Sequence, residues 1–196
     1  MTDDALFAET PEASDERFVG RLVRVTVDTV TLPDGRSATR EVVHHRGAVA
    51  AVPLDDAGNV HLVRQWRHPV GRTLLEIPAG TLDSGEPYEE CVRRELAEEI
   101  GQVPGRLDHL TSMFVAPGYA DEMIHLYLAR DLHPESRPGD EDENVQVVTM
   151  TLDEALAACR EGRICDGKSV AGLFLARELL GAERMAGDDQ LRDRDA

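Results

Sequence analysis

The sequence predicts a mixed α/β fold, in which helices cover a sheet with strands of both directions and an antiparallel hairpin leads the chain. Three observations predict it. Segments rich in Val and Thr with near-alternating polarity recur along the chain, which is strand chemistry. Three other segments carry helical periodicity with start and stop residues. The two kinds are interleaved without the regular β–α–β alternation that an all-parallel sheet requires.

Taken in order, residues 1–17 are acidic and read as a solvated tail. Residues 22–32, LVRVTVDTVTL, are the first strand, Pro33-Asp34-Gly35 supplies turn residues, and SATREVVHH resumes an extended pattern. Residues 18–45 are therefore expected as antiparallel strands, and residues 46–181 as the main domain. Within it, GAVAAVPL reads as a buried strand, DDAGN as a turn and VHLVRQWR as the returning strand. HLTSMFVAP and DEMIHLYLAR form a further pair around PGYA, and residues 145–150 another strand. The first helix is expected over residues 87–100, with Pro87 at the first helical position, where a missing N–H costs nothing. The second is TLDEALAACREG, with Thr151 and Glu154 as a capping box and Gly162 as a stop. The third runs over residues 169–180 with Gly181 beyond its end, and residues 182–196 are expected as a polar tail.

The 196 residues carry a formal net charge of −17. No basic stripe offsets it, so a nucleic-acid backbone is excluded as partner; anionic substrates require divalent cations between them and the protein. No apolar stretch reaches the ~20 residues of a membrane span. The acidic start lacks the basic and apolar regions of a signal peptide, so a cytoplasmic location is expected. Cys91, Cys159 and Cys165 show no CxxC spacing and are read as packing residues. His68 and the His44-His45 pair likewise show no metal spacing.

The densest chemical signal is EIPAGTLDSGEPYEECVRRELAEEIG, residues 76–101. At 100° per residue, Val92, Leu96 and Ile100 form one apolar stripe, while Glu95, Glu98 and Glu99 share a neighbouring face. Glu98 and Glu99 stand at the helix's negative end, against the macrodipole, and like charges at i,i+4 add ~0.2–0.5 kcal/mol of repulsion. A hard divalent cation reverses both penalties, and Mg2+ or Mn2+ would bring phosphate oxygens as further ligands.

Gly80, five residues, Glu86, seven residues, then Arg94-Glu95-Leu96-Ala97-Glu98-Glu99-Ile100-Gly101 resembles the Nudix box, G-x5-E-x7-R-E-U-x-E-E-x-G-U, departing only at Gln102 in the last aliphatic position. The resemblance implies a Nudix-type α/β/α sandwich and metal-dependent hydrolysis of nucleoside diphosphates linked to another group. It implies Glu95, Glu99 and the Ala79 carbonyl as metal ligands, with Glu98 at the same cluster as a catalytic residue. Arg94 and Glu86 are implied as the pair that orients them, and Gly80 and Gly101 as structural positions.

LLEIPAG before the box and FVAPGYADE after it resemble the ADP-ribose pyrophosphatase subfamily, whose marker proline matches Pro117, sixteen residues past Gly101. That resemblance implies hydrolysis of ADP-ribose to AMP and ribose 5-phosphate with Mg2+ or Mn2+; another nucleoside diphosphate sugar, NADH, or a non-catalytic ADP-ribose-binding module are the alternatives. It implies Arg67 as a phosphate contact, with Arg64 a weaker candidate, and Glu122, Pro117 and Gly118 at the substrate. In the acidic loop GDEDENVQ it points to Glu141 as base and Glu143 as metal ligand, and leaves open which of the two is the base. It further implies a homodimer in which the N-terminal strands exchange, placing Arg40, Glu41 and the surroundings of Phe18 near the interface.

Overall fold

Strand β4 (Ala48–Pro53) organises the main part of the computed structural model, which describes residues 6–139 and 144–192. All six β4 residues are buried. Because successive side chains of a strand point to opposite faces, Val49 and Ala51 enter one core with Val92, Leu96, Ile100 and Tyr127. Ala50 and Val52 enter a second core with Leu62, Ile77, Leu126, Leu128, Leu156 and Leu173.

These two cores are the two faces of a layered α/β/α unit, residues 48–113 and 124–196. One sheet has the order β7 (Ala79–Thr81), β4, β9 (Met123–Pro134), β8 (Gln102–Phe114), with β4 parallel to β9 and antiparallel to β7. The other is β10 (Gln146–Thr151), β5 (Asn59–Arg67), β6 (Arg72–Glu76), antiparallel throughout. Helix α1 (Tyr88–Glu99) supplies Val92 and Leu96 to the first core. Helices α2 (Leu152–Arg160) and α3 (Gly167–Arg192) serve the second. The mixed sheet between helices is the fold class the sequence predicts. At α2 the capping box is present in full: the Thr151 hydroxyl accepts the Glu154 N–H and the Glu154 carboxylate accepts the Thr151 N–H.

The other unit, residues 1–47 and 114–123, holds an antiparallel sheet of order β1 (Thr10–Val19), β2 (Val23–Thr31), β3 (Ser37–His45). Gly35, at φ 84°, turns the chain between β2 and β3.

Several expectations need correction. Residues 10–17 are not tail but part of β1, which lies on the β2 edge with Ser14 Oγ donating to Asp28 at 2.6 Å and Thr31 Oγ1 to Glu12 at 3.0 Å. Every β1 residue is exposed, so no hydrophobic pattern announces the strand; the backbone ladder of β2 imposes it. Helix α3 does not stop at Gly181 but continues to Arg192. A helical glycine costs ~1 kcal/mol, and Glu183 offsets this by pairing with Arg130 at 2.6 Å. Pro87 caps α1 from outside instead of occupying its first turn, and Ile100 follows the last helical residue. The short strands β6 and β7 flank Ile77 and Pro78, where the sequence carried no clear strand signal. Cys165 is exposed instead of packed, and Arg72 Nη2 lies 3.2 Å from its sulfur.

Candidate active site

Helix α1 presents its carboxylates because its apolar stripe anchors the neighbouring side: Cys91, Val92, Leu96 and Ala97 are buried, and Glu99 with them. Its first turn carries Glu89 and Glu90, in accord with the dipole, while its last turn carries no basic residue. Gly101, at φ 68°, takes the left-handed conformation just past the C-cap Ile100, a position that favours glycine.

Arg94 is the hub of the site. Its Nε and Nη2 donate to the two Glu86 oxygens, each at 2.9 Å, a bidentate fork. Its Nη1 donates to Glu95 at 2.5 Å and Glu98 at 3.3 Å, and Nη2 also reaches the Thr81 carbonyl at 3.4 Å. The Arg94 hydrogen bonds hold the Glu86 carboxyl far down, from its ordinary 4.5 to about 2, against the opposing effect of burial. Burial, with the Glu86 carboxylate adjacent, pushes the Cys91 thiol up, so this cysteine is an inert packing residue.

A carboxyl with a depressed pKa stabilises the fold above its unfolded pKa and loses that contribution as pH falls through the folded value. Glu86 should therefore contribute stability at neutral pH that disappears as pH falls from about 4.5 to about 2. Urea melts across that range should show a flatter acid limb for Glu86→Gln than for the wild type. Parallel limbs would mean Arg94 does not hold Glu86 ionised.

The backbone segment before the helix closes on the same spot. Glu99 is buried, and its Oε2 accepts the Ala79 N–H at 3.1 Å. At Gly80 an added Cβ would lie 1.8 Å from the Glu95 carboxyl carbon, so the Glu95 carboxylate rests directly on the glycine backbone. Gly80→Ala should displace Glu95 and lower kcat by about tenfold or more with little loss of thermal stability; unchanged kcat would show that the close approach has no functional role.

Among the described residues no group of three or more His, Cys, Asp or Glu side chains stands arranged to hold a metal ion. Arg94 pairs with Glu95 and Glu98 instead. The donor set nonetheless fits a hard divalent cation: carboxylates from Glu95, Glu98 and Glu99 on one helix face, with Ala79 joined to Glu99 by a hydrogen bond and Gly80 beneath Glu95.

Arg67, expected at a phosphate, stands in a network that no local sequence signal announced. Its Nε and Nη2 donate to the two oxygens of Glu76 at 3.0 and 2.7 Å, and Nη1 lies outside this fork. Glu76 is 1% exposed and also accepts from Lys168, which donates in turn to Asp166 at 2.8 Å. Burial would raise the Glu76 pKa, but the hydrogen bonds and charges of Arg67 and Lys168 outweigh it and hold the carboxyl low. The Glu76 hydrogen bond, aided by the charges of Glu99 and Asp166, raises the Arg67 pKa. Arg64, the weaker candidate, faces Gln146 at 3.4 Å.

Glu122, Pro117 and Gly118 belong to the unit of the N-terminal sheet. His45 Nδ1 lies 3.7 Å from Glu122, and Asp121 accepts from the His45 N–H at 2.8 Å and contacts His44 Nδ1 at 2.6 Å. Pro117 and Gly118 line a cavity of about 670 Å³ together with Arg40, Glu41, Tyr119 and Asp121. Glu141 and Glu143 lie outside the described residues.

Comparison with known proteins adds to this geometry. A family model described as NUDIX domain matches residues 44–171. An ADP-ribose pyrophosphatase of Bacillus subtilis (strain 168) is 40% identical over 176 residues, covering 88% of this chain and 95% of that protein. A methanol dehydrogenase activator of Bacillus methanolicus is 41% identical over 167 residues, covering 84% of this chain and 90% of that protein. A solved structure described as an ADP compounds hydrolase superposes with a TM-score of 0.82 at 28% identity, covering 91% of this chain and 97% of that one.

Proposed function

Because the chain belongs to the Nudix family, we propose that it hydrolyses the diphosphate of ADP-ribose to AMP and ribose 5-phosphate. The observation that carries this reading is the carboxylate face of α1, braced by Arg94 and Glu86 and closed by Ala79 and Gly80. The similarity to an ADP-ribose pyrophosphatase along most of both chains supports the substrate.

The reaction adds water across the P–O–P bridge, hydroxyl to one phosphorus and a proton to the oxygen that leaves. Glu95, Glu99 and the Ala79 carbonyl are the proposed ligands of Mg2+, with Mn2+ as the alternative, and Glu98 stands at the same cluster. Such a cation supplies charge neutralisation and a more acidic water. Arg94 aims Glu95 and Glu98 while its fork holds Glu86, since a planar fork fixes direction as well as charge. Glu141 is the proposed base and Glu143 a further ligand, both on the subfamily resemblance. Arg67 is proposed at the phosphates, and Glu122, Pro117 and Gly118 at the rest of the nucleoside diphosphate sugar. The proposal includes a cytoplasmic homodimer assembled through the N-terminal strands. Exposed Phe18, Val19 and Leu22 support that arm as a contact surface. No helix among the described residues is long and apolar enough to cross a membrane.

The identity to a methanol dehydrogenase activator favours a second reading, in which the same site serves activation of a partner enzyme. One panel tests both: purified protein with ADP-ribose, NADH, GDP-mannose, diadenosine polyphosphates and dNTPs, with and without Mg2+. Turnover of ADP-ribose that needs Mg2+ and exceeds the others is the expected result. Faster turnover of another compound replaces the substrate, and no turnover of any favours the activator.

A further inference from the structure

Four charged side chains meet in the layered unit between the end of β5, the end of β6 and the start of α3. Arg67 forks onto Glu76, Lys168 bridges Glu76 and Asp166, and Asp166 accepts the Ser169 N–H at 3.1 Å in the manner of a helix cap. Two cations thus stand against these two carboxylates, with the charge of Glu99 also acting on Arg67. Lys168 is 12% exposed, Asp166 15% and Glu76 1%, so water screens these charges little. One further bond ties the cluster to the backbone leading to Ala79: the Ile77 N–H donates to the buried Ser169 Oγ at 2.8 Å.

We propose that Lys168 is a positioning residue for substrate binding, neutralising the Asp166 side of the cluster so that Arg67 retains charge and a nitrogen for the substrate diphosphate. The inference rests on the reading of Arg67 as a phosphate contact. Glu76 engages two Arg67 nitrogens and leaves Nη1 outside the fork, and the Arg67 side chain is 38% exposed, whereas Lys168 is enclosed by its two carboxylates. Lys168 is therefore the internal cation and Arg67 the outward one. Without Lys168, one guanidinium must balance both Glu76 and Asp166, and its positive charge is spent inside the protein. An anion then meets a weaker field at Arg67. Asp166 Oδ1, buried and without a hydrogen-bond partner, shows how little compensation that carboxylate has besides Lys168 and the Ser169 N–H.

The test compares wild type, Lys168→Met, Lys168→Arg, Arg67→Ala and the double variant Lys168→Met with Asp166→Asn. ADP-ribose binding is measured by calorimetry in EDTA, and steady-state kinetics and thermal midpoints are measured alongside. Lys168→Met should weaken binding and raise KM about tenfold, the size of one charge-assisted hydrogen bond, with kcat within about threefold. Lys168→Arg, and the double variant in which one cation again faces one carboxylate, should recover most of that loss. Unchanged affinity in Lys168→Met, or no recovery of affinity in the double variant, overturns the proposal; a merely structural lysine would lower the thermal midpoint and leave affinity of the folded protein unchanged. Arg67→Ala separates the two readings: if it leaves affinity unchanged, the phosphate assignment fails and the positioning role with it. If it weakens affinity while Lys168→Met does not, only the positioning role fails.

Discussion

Glu99→Gln is expected to lower kcat on ADP-ribose by about 10²–10³-fold while leaving the protein as stable as before or slightly more so. Glutamine keeps the size of glutamate and keeps an oxygen that can accept the Ala79 N–H, so the 3.1 Å contact and the burial both survive. What disappears is one negative charge at the negative end of α1, beside Glu98 and one turn from Glu95, and with it an attraction to Arg67. Relief of the dipole term alone contributes about 0.3–1 kcal/mol. A structural residue would behave in the opposite way, losing stability and rate together. Steady-state kinetics and a thermal melt on the same preparation decide it: turnover within a few-fold of wild type removes Glu99 from the metal ligands, and a melting point lowered by several degrees makes it structural.

Arg94→Met should be the most destabilising single change in the site, costing about 3–5 kcal/mol. Arg94 is 23% exposed and satisfies carboxylates on Glu86, Glu95 and Glu98 at once. Methionine fills the volume but leaves three carboxylates facing one another in a half-buried cluster. Lysine should rescue only part of the loss, because one ammonium cannot reproduce the fork on Glu86 while also reaching Glu95. Added Mg2+ should raise the urea midpoint of Arg94→Met more than that of the wild type, since a ligand specific to the folded state shifts unfolding by mass action. A cost below about 1 kcal/mol, the range of exposed ion pairs, would show that solvent already screens the hub.

The α1 site was legible because its residues are local. Glu86, Arg94, Glu95, Glu98 and Glu99 fall within fourteen consecutive residues, and helix geometry places i, i+3 and i+4 side chains together wherever the helix packs. The Glu76–Lys168 contact was not legible, because those residues are 92 positions apart and only the docking of α3 against the end of β6 joins them. Ser169 and Ile77 repeat the point at the same separation.

Two boundary errors have a related cause. Residues 10–17 carry tail composition, and their strand exists because the β2 edge offers backbone partners. Gly181 carries a stop signal, and the helix passes through it where Arg130 holds Glu183. In both places a contact made elsewhere overrides a local preference worth about 1 kcal/mol or less.

The sequence alone determined the mixed α/β class, the helix with its apolar and carboxylate faces, the capping box of α2 and the family. The first three follow from periodicity and spacing over a few turns or strands, where covalent geometry sets which side chains share a face; the family follows from the resemblance of residues 80–101 to the Nudix box. Tertiary structure alone decided that residues 10–17 join β1, where α3 ends, that Glu95 rests on the backbone of Gly80, and that Arg67 shares a buried carboxylate with Lys168. These depend on charges and surfaces brought together across long stretches of chain, which spacing along the sequence does not encode.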